Sequence, residues 1–293
     1  MKEQNKVTYQ VAKHIFSILS DHPAVVRTLL PSYEPFLFTE TAVKEPLFLL
    51  EIVGNLSVEG TKIHQFSWDD AQIAIYTTDY GYCFGLIPHN CTDLFVLQAT
   101  HDFSSLKVSL QSDSRVDSFV LNNFIMLAYA FATASKATIL MHASVIKRKN
   151  QGYLFLGVSG TGKSTHSQLW LDTIPQTALL NDDNPVVRII EGKKIVFGTP
   201  WSGKTPCYKN ESASIAAFVE LQQAPSNQIT SLEPLEAYVV LLASSSLMKW
   251  DQRISDGLMQ TLSDLSMSVP VYKLNCLPDK AAAKLCFARV THG

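Results

Sequence analysis

The stretch Tyr153–Thr165, YLFLGVSGTGKST, decides the fold. Tyr153, Leu154, Phe155 and Leu156 form an apolar run with the length of a buried strand. Gly157, Gly162, Lys163 and Ser164 then fill a GxxxxGK(S/T) frame. Leu169, Trp170 and Ile174 follow as the apolar positions of a helix. Strand, loop and helix in that order make the frame a Walker A loop rather than a chance glycine loop. Gly157, Gly160 and Gly162 let backbone N–H groups turn inward around an anion. The helix beginning near Gly162 aims its free N–H groups and positive dipole end at the same place. Lys163 adds a full charge within reach of the outer phosphates, and the Ser164 hydroxyl suits Mg²⁺. Ser159, Thr161 and Thr165 complete the expected nucleotide cradle.

Downstream, Thr177–Leu180 is a short apolar run that ends in Asn181-Asp182-Asp183-Asn184. Two carboxylates at a strand end, some twenty residues past a Walker A lysine, suit Mg²⁺ ligation and a base for a hydroxyl. The bland alternative is a polar turn capped by aspartates. Val186–Ile190 and Lys194–Phe197 pair around Glu191-Gly192 as a hairpin. It leads into Gly198–Pro206, GTPWSGKTP. There Lys204 is placed either as a second cation for the phosphates or as a grip on the acceptor, against a rigid proline turn with an exposed lysine. Upstream, the strand-like run Thr138–Ile146 carries His142, one hairpin before the phosphate loop. Pattern alone favours a packed core histidine, and the neighbouring loop makes it a site candidate.

The rest of the chain sets bounds. A hydrophobic content of 46% and a charged content of 17% over 293 residues support a sizeable core and exclude a disordered chain. A net charge of −2 offers no nucleic-acid footprint. Five scattered cysteines without a CxxC pair argue against a disulfide framework. No N-terminal signal core and no bilayer-length apolar run are visible, so a cytoplasmic protein without a membrane partner is expected. His64, His89 and His101 are unclustered and read as ordinary histidines. Val11, Ile15, Phe16 and Leu19 share a helical face. Five short runs between Leu47 and Leu110 predict an antiparallel sheet. Ser114 to Ser135 predicts a buried helix, with Ser114 and Asp117 as a capping box. Toward the C-terminus, Ile215–Leu221 and Val269–Leu274 read as strands. Leu235–Leu247, Gln252–Leu265 and the stretch from Pro278 to Val290 read as helices. Lys249 and Arg253 sit in a charged corner between two of these helices, as further candidates for a nucleotide or acceptor contact.

His142-Ala143-Ser144, GVSGTGKST and LLNDDNPV together resemble the catalytic domain of HPr kinase/phosphorylase-like proteins, which share a P-loop fold with phosphoenolpyruvate carboxykinase. The resemblance covers residues 138 to 206 well, extends plausibly to the C-terminus and does not reach the first hundred or so. It implies an α/β fold. A carboxykinase-like P-loop domain with a mixed sheet would span 136–293, after an α+β N-terminal domain over 1–135 containing the antiparallel sheet. It further implies ATP and Mg²⁺ as cofactors, with Lys163 on ATP and Ser164 on the metal. Asp182 is assigned as the base, Asp183 as the second metal ligand, and His142 and Lys204 as further catalytic groups. The Glu-Ile-Arg-Gly pattern of bacterial HPr kinases is absent where GTPWSGKTP stands. Neither HPr as acceptor nor phosphorylase activity is therefore carried over. The nearer likeness is to HPr-kinase-like relatives found with peptide-modification clusters. The expected activity is an ATP-dependent kinase acting on a serine hydroxyl of a protein or peptide, with self-association left open. A small-molecule kinase, a carboxykinase-like enzyme and a nucleotide-binding regulator are the alternatives. The aspartate pair favours an enzyme, because a sensor needs no base beside the γ-phosphate.

Overall fold

A computed structural model describes residues 5–39, 45–68, 70–110, 114–203, 205–246 and 250–292. By its internal contacts the chain divides into two units, Met1–Ala132 and Thr133–Gly293. The architecture is α/β with mixed sheets.

The first unit runs through β1 (Lys6–Val11), β2 (His14–Leu19), α1 (Pro23–Leu29) and a 3-10 turn (Pro31–Phe36). β3 (Leu49–Val53), β4 (Thr61–Trp68), β5 (Ala71–Thr77), β6 (Gly81–Pro88), β7 (Phe95–Thr100) and β8 (Ser105–Ser109) follow, and α2 (Ser114–Thr133) closes it. Among the described residues eight strands form one sheet in the order β1-β2-β3-β8-β7-β6-β5-β4. The sheet is not purely antiparallel, because β3 pairs parallel with both β2 and β8. The helical face expected over Val11 to Leu19 is instead a β1–β2 hairpin turning at Ala12-Lys13, both at positive φ. Val11, Ile15 and Leu19 do recur every four residues, but Val7, Tyr9 and Val11 alternate, and the alternation wins. Aromatic rings fill this core: Phe16 stacks on Phe48 at 4.8 Å, and Tyr33 meets Tyr9 edge-on at 5.3 Å. The Tyr129 hydroxyl donates to the Val11 carbonyl at 3.1 Å, tying α2 to the hairpin. Among the described residues one helix, Arg115–Thr133, has the length and hydropathy to cross a bilayer, and 61% of that window is buried.

The second unit contains β9 (Thr138–Leu140), β10 (Ala143–Arg148), β11 (Gln151–Leu156), α3 (Lys163–Thr173), β12 (Thr177–Asp183), β13 (Val186–Ile190) and β14 (Lys193–Phe197). It continues with β15 (Ser212–Gln223), β16 (Gln228–Ser231), α4 (Pro234–Ala243), α5 (Gln252–Ser268), β17 (Val271–Cys276) and α6 (Lys280–His292). Strand order is β12-β10-β11-β15-β14-β13-β9, with β17 beside β15 and β16 beside β17. β15 is parallel to β11 and to β17, and the other pairs are antiparallel.

The apolar run from Tyr153 to Leu156 is the centre of this sheet. Every residue of β11 after Gln151 is buried, as for a strand covered on both faces. Tyr153 and Phe155 point to one face, where Trp170 of α3, Ile174 just after it, and Ala283 and Cys286 of α6 pack. Leu154 and Leu156 point to the other, where Ala237 and Leu241 of α4 and Leu258, Leu262 and Leu265 of α5 pack. Helices therefore cover both faces, the arrangement that lets a central strand be apolar throughout. The single run expected over Thr138–Ile146 is broken: β9 and β10 are separate strands pairing with different neighbours, and His142 lies in the break. The amide of His142 donates to the Ser244 carbonyl at 2.7 Å. The predicted helix over Leu235–Leu247 ends at Ala243, and residues 247–249, including Lys249, lie outside the described set.

Candidate functional site

The loop joining β11 to α3 spans residues 157–162. Its path needs φ values that L side chains resist: 145° at Gly157, 81° at Gly160 and 105° at Gly162. Gly157 is also constrained by space, since a Cβ there would sit 3.1 Å from Thr161 Oγ1 and 3.3 Å from the Leu221 carbonyl. The Thr161 hydroxyl donates to the Val158 carbonyl at 2.6 Å, and its amide to the same oxygen at 3.2 Å, closing a tight turn. Gly162 caps α3 in the left-handed region without a side-chain cap bond. No cap side chain thus competes for the first amides of α3. Ser159 in the loop and Ser164 and Thr165 at the start of α3 are exposed.

Lys163 is 8% exposed. Burial lowers its pKa from the ordinary lysine value, and the charges of Asp183 and Asp182 oppose that shift. Its ammonium donates to the carbonyls of Gly157 at 2.9 Å and Val158 at 3.3 Å, and lies 2.8 Å from His142 Nε2. The other ring nitrogen, Nδ1, lies 2.9 Å from Asp183 Oδ1. An ammonium has no lone pair, so Nε2 must accept. The hydrogen-bond network therefore assigns the proton to Nδ1, which donates to Asp183. Asp183 Oδ2 accepts from Asn184 Nδ2 at 2.8 Å. The Ser164 hydroxyl donates to Asp182 Oδ1 at 3.1 Å.

Sheet register puts these groups together. Ser144 faces Asp182 and Ala143 faces Asp183 across the β10–β12 pair, which brings His142 to the same end as the two carboxylates. Val145 faces Asn181 while Ile146 faces Leu179, so Leu180 is an extra residue in β12. Such a bulge re-aims the residues beyond it. Asp183 ends the strand at φ 127°, a strained value for a residue with a Cβ.

Ser202 and Gly203, in the loop after β14, pack against the same strand end. The Gly203 amide donates to the Asp182 carbonyl at 2.6 Å. Ser202 Oγ lies 3.0 Å from that carbonyl and 2.6 Å from the Thr205 carbonyl, its single proton serving one of them. Trp201 is 2% exposed, so its ring belongs to the core. Lys204 lies outside the described residues. Arg253 bonds Asp251 at 3.3 Å in a corner where Asp251 caps α5. Asn181, Thr199 and Gly203 also shape this end of the sheet. Their one sequence signal is proximity to the aspartates and to the loop after β14.

A family model described as SynChlorMet cassette protein ScmC matches residues 107–278, more than half of the chain and the whole of this constellation. The chain belongs to that family. The ScmC match starts within β8 and ends before α6. Among solved structures, the Hpr(Ser) kinase/phosphatase from Coxiella burnetii is similar over 52% of this ScmC-family chain and 88% of its own, at 12% identity and a TM-score of 0.32. A comparison with curated proteins returns no match. In this ScmC-family chain, then, Lys163, His142 and Asp183 form one chain of contacts, and Ser164 and Asp182 form a second beside it.

Proposed function

We propose that this ScmC-family chain is a cytoplasmic phosphotransferase. It would use Mg-ATP to phosphorylate a hydroxyl, with a serine of a protein or peptide as the acceptor. The observation that carries this reading is the convergence of Lys163, Ser164, His142, Asp182 and Asp183 at the start of α3, behind an anion-binding loop. The loop amides and the Lys163 ammonium suit the outer phosphates of a nucleotide. Among the described residues no cluster of three or more His, Cys, Asp or Glu forms a metal cage. One hydroxyl and one carboxylate in contact, Ser164 and Asp182, fit Mg²⁺, which keeps phosphate and water oxygens as its other ligands. The metal would supply charge neutralisation on the phosphates.

Contacts favour exchanging the two aspartate roles expected from sequence. Asp182, with Ser164, takes the metal side. Asp183, bonded to His142 and 34% exposed in its side chain, takes the acceptor side as base. The acceptor hydroxyl gives its proton to an Asp183 oxygen as its own oxygen bonds to phosphorus. The bond from phosphorus to the departing nucleotide oxygen breaks in the same displacement. His142 holds that carboxylate in place through Nδ1–H.

The experiment is transfer of γ-labelled phosphate from ATP to peptides and small molecules carrying hydroxyls. Label on a serine, lost on Asp183→Asn, is the expected result. Nucleotide binding without transfer to any acceptor would leave a regulator instead.

A further inference from the structure

Thr199 and Asn181 are both fully buried. Thr199 Oγ1 accepts from Asn181 Nδ2 at 3.0 Å and from the Trp201 amide at 3.2 Å, and its single proton goes to the Asn184 carbonyl at 2.7 Å, the nearer of two acceptors, the Trp201 carbonyl lying at 3.1 Å. A hydroxyl has one donor and two acceptor sites, so this one is fully used. The second Asn181 proton reaches the Trp201 carbonyl at 3.3 Å. Asn181 and Asn184 are the residues on either side of the aspartate pair, so one hydroxyl holds both ends of Asp182-Asp183. The next turn of the same loop presses on the pair itself. Gly203 donates to the Asp182 carbonyl, and a Cβ on Gly203 would sit 3.1 Å from Asp183 Cβ.

The cost of this arrangement indicates what it is for. Asn181 Oδ1 is buried with no hydrogen-bond partner among the described residues, which is unfavourable. An apolar residue would remove that cost, so the asparagine is retained for its donors. Asp183 keeps a strained backbone, and strain of this kind persists only where the surroundings over-determine it.

We infer that Thr199 is a positioning residue: through Asn181 and Asn184 its hydroxyl clasps the loop after β14 to the end of β12 and holds Asp183 at its strained angle, carboxylate on His142. This rests on the phosphotransferase reading, because it names a residue that aims the proposed base. A displacement of about 1 Å at a reacting group costs on the order of 10²-fold in rate.

The test compares Thr199→Val, which keeps the shape and removes the hydroxyl, with Thr199→Ser, which keeps the hydroxyl. Thr199→Val is expected to lower kcat about 10- to 100-fold while leaving ATP affinity unchanged. It should also speed amide exchange at Trp201 and Gly203. Thr199→Ser should restore both readouts. Gly203→Ala, which pushes on Asp183 without disturbing the buried hydroxyl, should lower kcat and serves if Thr199→Val does not fold. Wild-type kcat and exchange in Thr199→Val overturn the inference, as does a serine variant as impaired as the valine one. For Gly203→Ala, wild-type kcat counts against it. If the wild-type chain transfers no phosphate, the functional reading fails, and the exchange readout decides the clasp alone.

Discussion

Two histidines, one before and one after the Gly157–Gly162 loop in the sequence, are both hydrogen-bonded and differ in exposure and partners. His142 keeps a side chain 40% exposed and bridges a lysine and an aspartate. His166, one turn into α3, is 2% exposed. It accepts from the Trp170 indole at 3.1 Å and meets the Phe155 ring edge-on at 4.8 Å, and burial pulls its pKa down to about 4. Ser167 beside it shares a 2.6 Å bond with Ser144. The loop end of α3 thus gathers charged partners, and its flank gathers neutral ones closed from solvent. A polar residue near this loop is a site candidate by the first criterion and core by the second.

The largest effect that would sharpen this contrast is on the flank. Trp170→Ala should cost about 3–5 kcal/mol, the usual range for emptying a buried aromatic position, measured by urea unfolding. The folded fraction should still bind ATP, and a loss of stability below about 1 kcal/mol would break the flank's standing as core. At the loop end, Lys163→Ala should weaken Mg-ATP binding about 10²- to 10³-fold by calorimetry, the scale of lost charge-assisted bonds. Its circular dichroism should not change, and equal affinity in variant and parent would remove the nucleotide reading. Next, Asp183→Asn should lower single-turnover transfer by roughly 10²-fold with nucleotide binding kept. Asp182→Asn should instead weaken the Mg²⁺ dependence of binding. Exchanged phenotypes would restore the roles assigned from sequence.

The smallest effect concerns His166 and pH. His166 titrates near 4 when folded and near its ordinary 6.5 when unfolded, so the unfolded chain takes the proton first. Stability from this group is complete above the unfolded value and drains as pH falls toward the folded one. From about pH 7 to about pH 5.5 the loss should be about 1 kcal/mol. His166→Gln, which still accepts from Trp170, should flatten that slope in urea titrations even if it lowers stability overall. An unchanged slope would show that the drain comes from another group.

Legibility in the sequence depends on how local each signal is. The loop from Gly157 to Ser164 is legible because its backbone demands glycine at particular places. The aspartates are legible because an apolar strand stops at them. Which aspartate meets Ser164 is not, because the extra residue Leu180 shifts the strand's phase, and bulges leave no composition signal. The β1–β2 hairpin turns on Ala12-Lys13 without the usual Asn or Gly. β4 hides for another reason: Thr61 to Gln65 are all exposed, so no alternation of apolar and polar residues marks it. The clasp of Thr199 on Asn181 and Asn184 joins positions that only a folded sheet brings near.

The Lys163 ammonium has a fixed valence for hydrogen bonds. It carries three hydrogens, and His142, Gly157 and Val158 supply three acceptors. A phosphate oxygen cannot simply be added there; it has to substitute for one of them. Binding at this lysine is then an exchange of one acceptor for another, and its yield is the difference between the new bond and the old. If the imidazole is the acceptor displaced, Nε2 regains a free lone pair at the moment the anion arrives.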